Sequence, residues 1–256
     1  SLADTKEGLE ASAQFGPLVK PIITPRFVPS CTSELMSGLG KLAEAYNVPV
    51  QSHLSENHGE IDWVAALHPE AANYTDVYYE HHLMGKVPTV MAHCIHLSDV
   101  EMDRMAETQT MVSHCPYSNV NLSSGIAPIR KLFERKIPIG LGSDISGGHI
   151  VSMAKVLTEA IGLSKMKWVE VDQTYAPLTL SEAFYMATKG GGKFFGKVGS
   201  FEKGCELDAL VIDDTTLFDP NERSLEERLE RWLYVGDDRH IVERYVAGKV
   251  APEPTN

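Results

Sequence analysis

From about residue 18 to residue 163, short apolar runs alternate with longer stretches of helical spacing. The runs are residues 18–24, 48–52, 87–92, 110–113 and 138–142. Their length and β-branched content suit strands buried in a parallel sheet. Between them, Leu35, Met36, Leu39, Leu42, Ala43 and Tyr46 recur at helical spacing after a start signal at Thr32 and Ser33. Ile61, Trp63, Val64 and Leu67 mark a second helix, and Ile129, Leu132 and Phe133 another. Ser98 with Glu101, and Thr179 with Glu182, read as capping boxes. Repeated β–α units imply a parallel sheet with helical crossovers, so an α/β fold is expected.

The last quarter breaks the rhythm. Gly190, Gly191 and Gly192 close a helix, and residues 207–212, 232–235 and 241–247 read as strands of a small β layer. The predicted organisation is therefore a (β/α) unit over 1–189 and a C-terminal β segment over 190–256. The Pro-rich tail, 251–256, is expected to fray.

Charge and cysteine usage narrow the function classes. Asp and Glu total 35 against 23 Lys and Arg, a net charge of −12, which argues against a phosphate-tracking nucleic-acid binder. No apolar run approaches the roughly 20 residues that span a bilayer, so no membrane partner is expected. Cys31, Cys94, Cys115 and Cys205 are far apart and form no CxxC pair. That spacing disfavours a disulfide scaffold or a structural zinc knuckle and suits a reducing, cytoplasmic compartment.

Each predicted strand of the repeat ends in polar residues. The ends read Thr24-Pro25-Arg26-Phe27, Ser52-His53-Leu54-Ser55-Glu56, Ala92-His93, Ser113-His114-Cys115-Pro116 and Gly142-Ser143-Asp144. In an α/β barrel such ends project onto one face, where active sites sit. One polar strand end means little. Five in succession, carrying His, Asp, Glu and Arg, point to a site.

Each residue also has a plainer reading. His53 alone is more often structural, but Glu56 follows on the same loop, and imidazole with a nearby carboxylate suits a metal-activated water. Asp144 either caps the next helix or binds a metal. His93 is either a hydrogen-bonded core histidine or a catalytic one. His114 reads as orienting its neighbours. His58, His68, His81, His82, His96, His149 and His240 read as solvated or structural. Arg26 is either a surface arginine over Phe27 or a donor of two parallel hydrogen bonds to a flat heterocycle, as arginine reads the guanine edge.

The stretches KPIITPRF from Lys20, QSHLSEN from Gln51, VMAHCIHLS from Val90, SHCPYSNVNLSSG from Ser113, IGLGSDISGG from Ile139 and LYVGDDRHI from Leu233 resemble the guanine deaminases of the amidohydrolase superfamily. The likeness runs from about Val19 to Lys249. It implies a zinc cofactor, with His53 and Asp144 as ligands. It also implies Glu56 as proton shuttle, His93 beside the reacting carbon, Asp144 sharing the water's proton, and Arg26 and Phe27 recognising the purine. His53, Glu56 and Asp144 would line the substrate as well.

The implied reaction is hydrolytic deamination of guanine to xanthine and ammonia, a step of purine catabolism. The family's His-x-His pair is not found in this sequence, and residues 18–24 correspond to the family's fourth barrel strand. About five β/α units cannot close an eight-stranded barrel. A partial TIM-type (β/α)8 barrel with a small C-terminal β layer is therefore expected, in a carboxyl-terminal fragment that binds zinc poorly and is inactive alone. Its open sheet edges favour self-association, with a homodimer expected. The rival readings are another heterocycle aminohydrolase, acting on cytosine, adenosine-type or triazine substrates, and a non-catalytic interaction module derived from the fold.

Overall fold

The computed structural model describes residues 1–252; residues 253–256 of the Pro-rich tail lie outside the described residues. In chain order the elements are α1 (Leu2–Ser12), α2 (Ser33–Tyr46), β1 (Val50–Leu54), α3 (His58–Leu67), α4 (Tyr74–Glu80), β2 (Thr89–His93), α5 (Asp99–Glu107), β3 (Met111–His114), α6 (Pro116–Asn121), α7 (Ile129–Glu134), β4 (Ile139–Leu141), α8 (Met153–Glu170), α9 (Leu180–Tyr185), β5 (Ala209–Ile212), α10 (Leu225–Val235), β6 (Ile241–Val246) and β7 (Lys249–Val250). Among the described residues, no helix is long and apolar enough to cross a membrane.

The chain divides into two compact units, one of residues 1–114 with 122–139 and the other of 115–121 with 140–256. The first is an α/β unit. Its strands lie in the order β1-β2-β3, with β1–β2 and β2–β3 parallel, and the unit closes at Ile139, the first residue of β4. Val50, Leu54, Met91, Val112 and Ile139 bury their side chains in this sheet, and Met36, Leu39 and Val64 bury the inner faces of α2 and α3. The predicted caps are present: Thr32 caps α2, and the Ser98–Glu101 box opens α5. Helix α2 runs close to the turn after α4, because Gly40 leaves no side chain; a Cβ there would overlap the His81 carbonyl oxygen.

Residues 18–24 do not form the strand expected of them. Only Ile23 bridges to Val50, through Ile23 N–H to Pro49 O and Gln51 N–H to Ile23 O, each 2.9 Å. Pro21 and Pro25 lack the donors that would extend the pairing, and Leu18 and Val19 stay exposed. β1 also starts later than predicted, since Pro49 cannot donate. It continues through His53 and Leu54, so His53 lies inside the strand and pairs in register with Ala92.

In the second unit, α8 and α10 pack on each other, and Lys155 Nζ donates to Tyr234 O at 2.9 Å. The helix that follows Thr179 ends at Gly192, within the glycine run that the sequence marked as its end. The helix passes from α9 into a π-turn over Met186–Gly190 and on through Gly192. Gly140 and Gly191 meet backbone to backbone, where a Cβ on Gly140 would stand 2.9 Å from the Gly191 Cα. β5, β6 and β7 form the antiparallel layer the sequence suggested. Residues 232–235, read as a strand, instead end α10. Leu225, Leu229, Trp232 and Leu233 have helical spacing, and the Ser224–Glu227 capping box starts the helix.

Candidate active site

Within the first unit, the carboxyl ends of β1 and β2 carry His53, Glu56 and His93. Leu54 pairs with His93, and beyond that pair Cys94 N–H donates to Leu54 O (2.9 Å) while the Ile95 and His96 N–H groups both donate to Ser55 O (3.1 Å). The chain turns sharply there. Ser55, His93 and Cys94 have φ of 49°, 70° and 52°, a left-handed conformation that non-glycine residues seldom adopt and that clusters at functional sites.

These bonds bring the side chains together. The His53 and His93 rings stack, with centroids 5.3 Å apart and an interplanar angle of 25°. Glu56 Oε2 is 3.7 Å from His93 Nε2. His93 is buried at 1% exposure, while Glu56 and His53 remain partly open.

His53 Nδ1 lies 2.6 Å from the Arg26 carbonyl oxygen. A carbonyl can only accept, so Nδ1 carries the proton and donates. That tautomer leaves the Nε2 lone pair for a metal, the arrangement in which a histidine ligand is oriented by its other nitrogen. The bond also ties the Arg26–Phe27 segment to His53. Ser52 Oγ donates to this segment, at 2.7 Å from Pro25 O, and lies 2.7 Å from Tyr78 Oη; Tyr78 Oη is also 2.8 Å from His53 O. Burial pushes the Tyr78 phenol well above its ordinary pKa, so it stays a neutral hydrogen-bonding group. Arg26 is exposed, its guanidinium carbon 5.7 Å from the Phe27 ring centre, and Phe27 meets Trp63 edge-on at 6.2 Å.

His114, at the end of β3, is buried at 1% exposure, and its Nδ1 has no hydrogen-bond partner. Burial, followed by the charge of His93, lowers its pKa to about 3. In the unfolded chain it takes a proton near the ordinary 6.5. Between those values the unfolded state binds more protons, so this stabilisation is complete above about 6.5 and is lost as pH falls towards 3. At pH 5 the loss from this group is about 2 kcal/mol. Urea unfolding of the wild type and His114→Gln at pH 7 and pH 5 measures it. The variant is expected to lose less stability on acidification, and equal losses would contradict the burial argument.

In the second unit, Asp144 follows β4 with φ 43°. Its carbonyl accepts from Gly148 N–H at 2.6 Å, and Asn121 Nδ2 donates to Gly147 O at 2.7 Å. A Cβ on Gly147 would stand 2.6 Å from Asp144 Oδ2 and 3.2 Å from Ser118 Cβ, so a side chain there would displace the Asp144 carboxylate. Asp144 does not cap the next helix, since α8 has Ser152 at its N-cap. Among the described residues, no group of three or more His, Cys, Asp or Glu side chains forms a metal cluster.

The amidohydrolase family model matches residues 4–251. The chain belongs to the amidohydrolase family. Among amidohydrolases, it is 43% identical to guanine deaminase of Dictyostelium discoideum, over 97% of this chain and 56% of that protein, and 37% identical to the Escherichia coli guanine deaminase, over 99% and 58%. The crystal structure of a guanine deaminase from C. acetobutylicum, with guanine bound in its active site, superposes with a TM-score of 0.94 at 53% identity, covering 97% of this chain and 59% of that one. The chain thus spans a little over half the length of these relatives.

Sequence reading did not single out Ser52, Glu60, Tyr78 or Ser124, which hold the named residues in place. Glu60 alone carried a signal, as an acidic residue in the first turn of α3 behind Asn57.

Proposed function

We propose that this amidohydrolase chain belongs to an enzyme that hydrolyses guanine to xanthine and ammonia. The juxtaposition of His53, Glu56 and His93 at adjacent strand ends carries the reading. Similarity to a guanine-bound guanine deaminase supports the substrate.

Zinc is the proposed cofactor, with His53 and Asp144 among its ligands. His53 suits the role by its tautomer; Asp144 is proposed from its carboxylate chemistry and the family resemblance. When bound, zinc makes water a nucleophile near neutral pH. Arg26 and Phe27 bind the purine, the guanidinium by paired hydrogen bonds and the ring by apolar contact. Glu56 carries a proton to the ring nitrogen beside the reacting carbon and later to the departing amine. His93, held beside Glu56, donates to the developing tetrahedral centre. Asp144 shares the attacking water's proton. Water adds, ammonia leaves, and the carbonyl of xanthine remains.

Two ligands are fewer than the three that protein chains supply to catalytic zinc, so the 256-residue chain by itself is proposed to hold zinc weakly and turn over little. The β1–β4 sheet is taken as part of a TIM-type (β/α)8 barrel over 1–189, with a composite segment over 190–256. A cytoplasmic homodimer remains part of the proposal. A panel of guanine, adenine, cytosine and a triazine, assayed for ammonia release by the intact zinc-loaded enzyme, tests the substrate. Guanine is expected to lead; release from another base in its place would reassign the enzyme within the family.

A further inference from the structure

The Glu56 carboxylate is held by a loop that none of the roles above involves. Ser124 Oγ donates to Glu56 Oε1 at 3.0 Å, and Ser124 is 6% exposed. The loop is seated by His96, whose Nε2 lies 2.8 Å from Ser124 O; the carbonyl only accepts, so Nε2–H donates. His58, at the start of α3, packs its ring 4.0 Å from the His96 ring. Gly125 lets the loop close, with a φ of 127° that other residues rarely adopt and a tight fit for any Cβ, which would stand 3.2 Å from Ile95 Cγ2 and 3.3 Å from His96 Cε1. On the opposite side, Glu56 N–H donates to Glu60 Oε2 at 3.0 Å. The buried Glu60 is fixed in turn by Tyr74 Oη on Oε1 at 2.6 Å and by its own N–H on Asn57 Oδ1 at 2.9 Å. Glu56 is therefore gripped at backbone and carboxylate, and its two oxygens differ. Oε1 is occupied by a neutral hydroxyl donor, while Oε2 faces His93.

We infer that Ser124 is a positioning residue for Glu56. By occupying Oε1 it selects Oε2 as the oxygen that carries the proton and fixes the direction in which it is delivered. The inference rests on the proton-shuttle reading of Glu56. A carboxylate released from this bond rotates about its last torsion, which is soft and roughly two-fold, and spends less time aimed at the substrate. Substrate binding does not need the bond, so the loss should fall on kcat.

The test is Ser124→Ala and Ser124→Thr in the intact zinc-loaded enzyme with guanine. In Ser124→Ala, kcat is expected to fall about tenfold, on the scale of one to two orders below full loss of an acid–base group, with KM within about twofold. Ser124→Thr keeps the hydroxyl and should recover most of the rate. Gly125→Ala, which unseats the loop without touching the hydroxyl, should share the kcat defect. Unchanged kcat in Ser124→Ala, or a rise in KM alone, would overturn the inference.

A second readout needs no turnover. In 13C-carboxyl spectra of the protein at pH 7, the Glu56 side-chain resonance should move in Ser124→Ala and return towards its wild-type position in Ser124→Thr, since the hydroxyl donor to Oε1 is removed in one and kept in the other. No movement would also overturn it. If wild-type enzyme fails to deaminate guanine while this spectral shift is present, the functional reading fails and the Ser124–Glu56 bond stands.

Discussion

Glu56→Gln in the intact enzyme is expected to lower guanine turnover by about 10²–10⁴, the usual contribution of a positioned acid–base group. The change is nearly isosteric. Gln keeps an oxygen for Ser124 Oγ, and the backbone N–H of residue 56 can still donate to Glu60 Oε2. What it removes is the proton that Glu56 would carry from Oε2, beside His93 Nε2. The defect should therefore appear in kcat, with substrate affinity little changed, because Arg26 and Phe27 are untouched. Steady-state kinetics with guanine measures it, and turnover near the wild-type rate would remove Glu56 from the chemistry.

His53→Ala should be comparably severe for a different reason. It deletes an imidazole whose protonated Nδ1 is fixed on the Arg26 carbonyl and whose Nε2 is left for a metal. Changes to groups that merely orient a ligand weaken metal affinity by about 10–100-fold, so loss of the ligand itself should exceed that range. Zinc retention against a chelator, followed by elemental analysis of the intact protein, checks this directly. The substitution also takes the 2.6 Å His53 donor from the Arg26 carbonyl and leaves it the longer bond from Ser52 Oγ at 3.2 Å, which should loosen the Arg26–Phe27 segment and raise KM in any residual activity. Full zinc retention in His53→Ala would assign the metal to other side chains.

Much of this was legible in the sequence, because the rhythm of β–α units is a property of local spacing. The helices with clear start signals, α2, α5 and α9, begin where Thr32, Ser98 and Thr179 predict. Proline explains the strand errors. Pro21 and Pro25 prevent residues 18–24 from pairing as a strand, and Pro49 moves the start of β1 so that His53 falls within it. Residues 232–235 misled because Trp, Leu, Tyr and Val favour strands in isolation, while the helical spacing that governs them starts at Leu225.

The site was legible as residue types at strand ends, and its support was not. No local pattern tells that Ser124 reaches Glu56 across 68 positions of sequence, or that Tyr78 holds the backbone of His53. Such bonds exist only once the sheet has brought distant segments side by side. Nor does sequence alone show that His114 is sealed in with an unpartnered nitrogen, although Pro116 and Asn119 close behind it marked it as an orienting residue.

The decisive measurement is the identity of the products formed from guanine. The intact protein, purified with zinc, is incubated with guanine while xanthine and ammonia are followed together. Equimolar xanthine and ammonia are expected from the wild type, with loss of both in Glu56→Gln. Zinc-loaded protein that leaves guanine unchanged while releasing ammonia from adenine, cytosine or a triazine would contradict the assignment to guanine.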